Sequence, residues 1–143
     1  MENKVLTLLQ NHIGKDLSNS PSPLGSWLNG IVRAVDKGML EVEFTVRPEM
    51  LNPAEILHGG AISAMMDEVM GISVATLGND SFYSTINLQV DFLSSVKLGE
   101  QILVRSEVVR EGNNIVNTAC TVKKLDGKLV AQGGSNLFKK AKF

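Results

Sequence analysis

The chain has 143 residues, with 14 Lys and Arg against 15 Asp and Glu, and a formal net charge of −1. That length suits a single domain, residues 1–143, with a real core; the scattered basic residues form no nucleic-acid stripe, and no apolar run approaches the ~20 residues of a membrane span. Cys120 is the only cysteine, which excludes an internal disulfide and fits a reducing cytoplasm, and the two histidines, His12 and His58, have no Cys/His cluster around them that would mark a metal site.

Residues 2–13 suit a short amphipathic helix, with Val5, Leu8, Leu9 and Ile13 on one face. The start lacks the basic opening and long apolar centre of a signal peptide, so the cytoplasm is the expected location. Ser18 to Pro23 breaks regular structure. Two alternating segments follow, near 27–36 and 39–47, joined at Asp36-Lys-Gly38. In the second, Leu40, Val42, Phe44 and Val46 alternate with Glu41, Glu43 and Thr45, as in a half-buried strand. Pro48 to Pro53 reads as loop.

Residues 59–76 carry a strong helical pattern. Ile62, Met65, Met66, Val69, Met70 and Ser73 form a stripe at 3.6-residue spacing. Gly60, Ala64, Gly71 and Ala75 keep another side slim. Thr85 then begins a strand in which Ile86, Leu88, Val90 and Phe92 alternate with polar residues. Segments near 101–110, 114–124 and 128–139 complete the chain, with hairpin signals at Glu111–Asn114 and Leu125–Gly127. The order predicts an α+β fold. A mostly antiparallel six-stranded sheet has one long helix to cover a face.

The chemistry concentrates in Asn52-Pro-Ala-Glu-Ile-Leu-His58-Gly59-Gly60 and in Asp67. Glycines at a helix start leave N–H groups bare, and those groups suit a developing negative charge. They equally suit close packing. His58 either bonds nearby backbone and fixes the loop or takes part in the chemistry, and no orienting carboxylate in the nearby sequence supports a proton-transfer role. Asp67 lies within an apolar pattern, where a carboxylate is costly without a partner or a task; its neighbour Glu68 fits a solvated acid. Thr85 is an edge hydroxyl or a group that orients Asp67. Cys120 fits the core. The helix methionines fit the core as well, and Met66 and Met70, with Gly60, are also candidates to line a substrate pocket.

Gly59 and Asp67 are eight positions apart, hence ~12 Å along one helix axis. Two groups that act on one carbonyl must both lie close to it. If both act, they come from different chains of a twofold dimer, with the two helices antiparallel.

Several of these segments together resemble the PaaI-like acyl-CoA thioesterases, hotdog-fold proteins of the phenylacetate-pathway type. The resemblance is carried by Arg47-Pro-Glu-Met-Leu-Asn52, Leu57-His-Gly-Gly-Ala61, Met66-Asp67, Ser84 to Leu93 and Lys97-Leu-Gly-Glu100, and it runs from about Pro23 to Phe138. It implies a hotdog fold and hydrolysis of an acyl-CoA thioester to free acid and coenzyme A. It further implies that Asn52 and the Gly59 N–H hold the thioester oxygen, that His58 orients that corner, that Asp67 of the partner chain is general base or nucleophile, and that Thr85 helps hold the attacking water. The pattern departs at Ser94-Ser-Val-Lys97, so the resemblance assigns no coenzyme A contact there. The expectation is a homodimer with shared sites, assembled further as a dimer of dimers. It needs no metal or other cofactor, coenzyme A being part of the substrate. Two rivals stand beside it. One is a non-catalytic acyl-thioester-binding module; the other is a hotdog hydratase or dehydratase.

Overall fold

The computed structural model describes residues 2–140. The elements are α1 (Lys4–Gln10), α2 (Pro23–Leu28), β1 (Ile31–Asp36), β2 (Met39–Thr45), a short 3-10 turn (Pro48–Met50), α3 (Gly59–Ala75), β3 (Phe82–Phe92), β4 (Gln101–Glu111), β5 (Ile115–Lys124) and β6 (Leu129–Lys140). All six strands form one sheet in the order β1-β2-β4-β5-β6-β3, and each neighbouring pair is antiparallel. α3 packs across β2, β3, β4 and β5. This is the hotdog arrangement: one long helix covered by an antiparallel sheet.

The stripe of α3 is buried as its spacing predicts. Ile62, Met65, Met66, Val69 and Met70 are all in the main core, with Val42, Phe44, Ile102, Val104 and Val122. Each fully buried side chain of this kind contributes about 2 kcal/mol relative to exposure. The polar atoms at the far end of the helix are satisfied internally. Ser73 Oγ donates to Met70 O and shares a hydrogen bond of 2.8 Å with Ser106 Oγ. Thr76 Oγ1 accepts from Gly38 N at 2.7 Å and so ties the helix end to the β1–β2 turn. Among the described residues, no helix is long and apolar enough to cross a membrane.

Three expectations change. The segment from residue 27 is not yet strand. Residues 23–28 form α2, with Ser22 Oγ capping Gly25 N at 3.1 Å and Pro23 in the first turn. Ser-Pro is a helix-start signal as much as a break, and the chain turns into β1 only after Asn29, at φ 51°. The strand β3 begins at Phe82, three residues before Thr85. Its alternation buries less than expected: Ile86 and Phe92 are each 54% exposed. The reason is topological, because β3 is an edge strand and its pairing with β6 shifts register between Thr85 and Asn87. Finally, α1 is shorter than residues 2–13, and only Leu9 of its expected apolar face is buried.

Candidate functional site

The loop before α3 is a compact turn built on Asn52. Its Oδ1 accepts from Ala54 N at 2.9 Å and from Ile56 N at 3.3 Å. Its backbone N donates to Ile56 O at 2.9 Å. Glu55 takes φ 61° to close the turn. With the side-chain oxygen committed to two N–H groups, the Asn52 amide can present only its Nδ2 as a free donor. Arg47 braces the other side of the loop. Its guanidinium donates to the carbonyls of Trp27 and Leu28, pairs with Glu49 at 2.8 Å, and lies 4.9 Å from the Trp27 ring centre. The pairing with Arg47 lowers the Glu49 carboxyl below its usual range.

His58 is the N-cap of α3. Its Nδ1 accepts from Gly60 N at 2.7 Å, and its backbone N donates to Met50 O at 2.8 Å. The imidazole therefore answers one orphan N–H of the helix start and fixes the corner. That use consumes the Gly60 N–H. The Gly59 N–H has no acceptor among the described residues. A Cβ on Gly59 would come within 3.2 Å of the Phe92 ring, so a side chain there would press on that ring. Asn52 and Gly59 line one cavity of about 340 Å³ with Phe92, Leu93, Ser94 and Ser95.

Asp67 lies on the same helix, half-buried at the margin of the apolar stripe rather than within the core. Thr85 Oγ1 donates to Asp67 Oδ1 at 2.9 Å. Oδ2 accepts no hydrogen bond among the described residues. The two residues line a second cavity, of about 570 Å³, together with Ser22, Glu68, Gly71, Tyr83 and Ser84. The donor pair and the acid thus face separate cavities of a single chain. Beside Asp67 the slim helix side is open: a Cβ on Gly71, which lines the same cavity, would meet nothing within 4 Å.

Other candidates fall elsewhere. Met66 and Met70 are fully buried in the core and line none of these cavities. Met70 sulfur instead accepts from Thr118 Oγ1 at 3.1 Å. Glu68 is not a freely solvated acid: it is half-buried, and its Oε1 fills the space where a Gly25 Cβ would stand. Cys120 is 3% exposed, and burial pushes its thiol up to about 12. Phe92 belongs to an alternating strand and Leu93 follows it, so nothing local marks either as a site residue; both are more than half exposed beside the Asn52 cavity. The departure at Ser94 and Ser95 was visible, and those residues line the Asn52 cavity.

With this geometry in place, the comparisons are informative. Residues 54–131 match the family model of the Thioesterase superfamily. A solved phenylacetic acid degradation-related protein of Ralstonia eutropha JMP134 is 31% identical, with a TM-score of 0.77 over 94% of this chain and 98% of that one. A Caenorhabditis elegans protein is 30% identical over 104 residues, 72% of this chain and 62% of its own length. This chain therefore spans less than two thirds of that relative. Human acyl-coenzyme A thioesterase 13 is 27% identical over 97 residues, 67% of this chain and 69% of that protein.

The cap assigned to His58 has a measurable consequence. His58→Ala should lower unfolding stability by about 1 kcal/mol, the usual cost of removing a side-chain N-cap. Urea titration of the two proteins reads it directly. Equal midpoints and slopes would show that the Nδ1–Gly60 contact does not hold the helix start.

Proposed function

The chain belongs to the Thioesterase superfamily, and from that premise we propose that it hydrolyses an acyl-CoA thioester to the free acid and coenzyme A. The observation that carries this reading is the pair of donors in one cavity: the Asn52 Nδ2, oriented by two bonds to its own carbonyl oxygen, and the unpartnered Gly59 N–H. Two fixed donors beside a helix N-terminus suit an oxygen that gains charge during attack. The name of the human relative, an acyl-coenzyme A thioesterase, supports the substrate class.

In this mechanism the thioester oxygen lies between Gly59 N–H and Asn52 Nδ2. Water attacks the carbonyl carbon and gives its proton to Asp67 Oδ2. Thr85 holds Oδ1, so the carboxylate keeps one oxygen aimed at the water. The tetrahedral intermediate collapses, the C–S bond breaks, and the departing sulfur takes the proton from Asp67. Direct attack by Asp67, through an anhydride, uses the same residues. His58 acts by holding the helix start. No step calls for a metal or redox group.

Gly59 and Asp67 are ~12 Å apart along α3 and face different cavities. We therefore assign the acid of each site to the partner subunit of a homodimer. The exposed Phe82, Ile86 and Phe92 on edge strand β3 and the open Gly71 side of α3 support burial of this region by a second copy. Pairing into a dimer of dimers would be a further step.

Release of free thiol from a panel of acyl-CoA compounds tests the reaction, and no release from any of them would refute it. Asp67→Asn keeps the shape and removes the base, so kcat should fall ~10²–10⁴-fold; near-normal turnover would remove Asp67 from the chemistry. Asn52→Asp keeps an oxygen for the Ala54 and Ile56 N–H groups but replaces the free donor with an acceptor. It should lower kcat by ~10²-fold or more with the fold intact. A rise in KM alone would make Asn52 a uniform binding group.

Complementation tests the shared site. Asn52→Asp and Asp67→Asn each disable both sites of their own homodimer. In a mixed dimer, one site collects both defects and the other collects neither. Random co-refolding of equal amounts puts about half of the molecules in mixed dimers and should restore about a quarter of wild-type activity. Mixed dimers confirmed by mass spectrometry, yet without activity, would show that each site is built within one chain.

A further inference from the structure

We propose that the cavity between α1 and the C-terminal half of α3 receives the acyl group of the substrate, and that this group is an apolar chain of medium length without a terminal carboxylate. The proposal rests on the thioesterase reading above and names the substrate class of that site.

The cavity holds about 350 Å³, within the range of sites that enclose a small apolar ligand. Val5, Leu8, Leu9, Leu17, Ile72 and Ala75 form its apolar walls. Of its polar neighbours, Ser20, Ser22 and His12 are already engaged, while Asn19 and Glu68 keep side chains without a hydrogen bond among the described residues. Ser22 Oγ caps Gly25 N, Ser20 Oγ accepts from Ser22 N, and His12 Nε2 is bonded to Asp16 O.

The roof is held by hydrogen bonds more than by packing. Asn3 caps α1 through Oδ1 and donates from Nδ2 to Thr76 O at 2.7 Å, which fastens α1 to the end of α3. The return segment is fastened by Gly14 N to Val32 O at 2.8 Å and by Leu17 N to Gly30 O at 2.9 Å. Leu8, in contrast, is left 66% exposed. A fixed roof with an unfilled apolar underside fits a ligand better than a core.

Position supplies the occupant. Ser22, Glu68, Ile72 and Ala75 line both this cavity and the one that contains Asp67 and Thr85. Glu68, Ile72 and Ala75 share one helix face at i, i+4 and i+7, one residue along from Asp67. A chain attached to a carbonyl at Asp67 has this channel before it. Glu68 stands at the junction, half-buried, with no hydrogen bond among the described residues. Its charge repels an acyl group that ends in a carboxylate and leaves an uncharged chain unaffected.

The test compares kcat/KM for octanoyl-CoA, acetyl-CoA and the carboxylate-ended adipoyl-CoA. Wild type should prefer octanoyl-CoA. Ala75→Leu narrows the junction, and Leu8→Asn, at an exposed position that spares folding, makes a wall polar. Each should lower the octanoyl-to-acetyl ratio on the order of tenfold, the worth of a pair of buried methylenes. Leu125→Asn, in the exposed β5–β6 turn, should leave the ratio unaltered. Glu68→Gln should raise adipoyl-CoA turnover relative to octanoyl-CoA. An active enzyme whose ratio does not move in Ala75→Leu or Leu8→Asn overturns the pocket, and no gain in Glu68→Gln overturns the exclusion. If no acyl-CoA is cleaved, the thioesterase reading fails instead, and calorimetry with uncharged 1-octanol decides the pocket: heat in wild type that is lost in both wall variants supports it, and none in wild type overturns it.

Discussion

The stripe Ile62, Met65, Met66, Val69 and Met70 seats α3 on the middle of the sheet, and that seat governs where every chemical group can reach. The helix is rigid over its length. Its rise of 1.5 Å per residue sets ~12 Å between Gly59 and Asp67, and no side-chain rotation removes that distance. The sheet holds the helix on several strands at once, so it cannot tilt to bring one end toward the other. One bare N–H, that of Gly59, occupies one end, and an acid projects from its middle.

The local turns take their value from this constraint. Asn52 and His58 spend acceptors on the loop and the helix start, and Glu55, at φ 61°, closes the turn by donating its N–H to Asn52 O. What is left unspent is one amide donor and one backbone N–H, on two residues that line the same cavity. Asp67 is treated in the converse way: Thr85 occupies one oxygen and leaves the other. The Asn52 amide and the Asp67 carboxylate are each half-satisfied by their own chain. That leaves each oriented and still able to bond a ligand.

Edge strand β3 connects the two halves. Its register shift beside Thr85 sets the hydroxyl against Asp67, and its far end sets Phe92 over Gly59. The same strand exposes Ile86 and Phe92. An alternating strand read alone implies a covered face, and on β3, at the edge of the sheet, part of that face is uncovered in one chain.

The sequence by itself determined the central helix, the sheet strands and the hairpin turns, because each rests on local periodicity or local turn chemistry. It also marked Asn52, His58, Gly59, Asp67 and Thr85, since their residue types are unusual for their positions. It misjudged α2, where Ser22-Pro23 serves as a cap rather than a break, it left Phe92 unmarked as a site residue, and it treated Glu68 as solvated. Only tertiary structure decided those, because exposure depends on which strand is the edge and on which helix crosses above. Only tertiary structure, too, assigned Gly60 N–H to His58, freed the Nδ2 of Asn52, and joined the cavity under α1 to the one at Asp67. Those are relations between segments far apart in the chain, and local pattern carries no information about them.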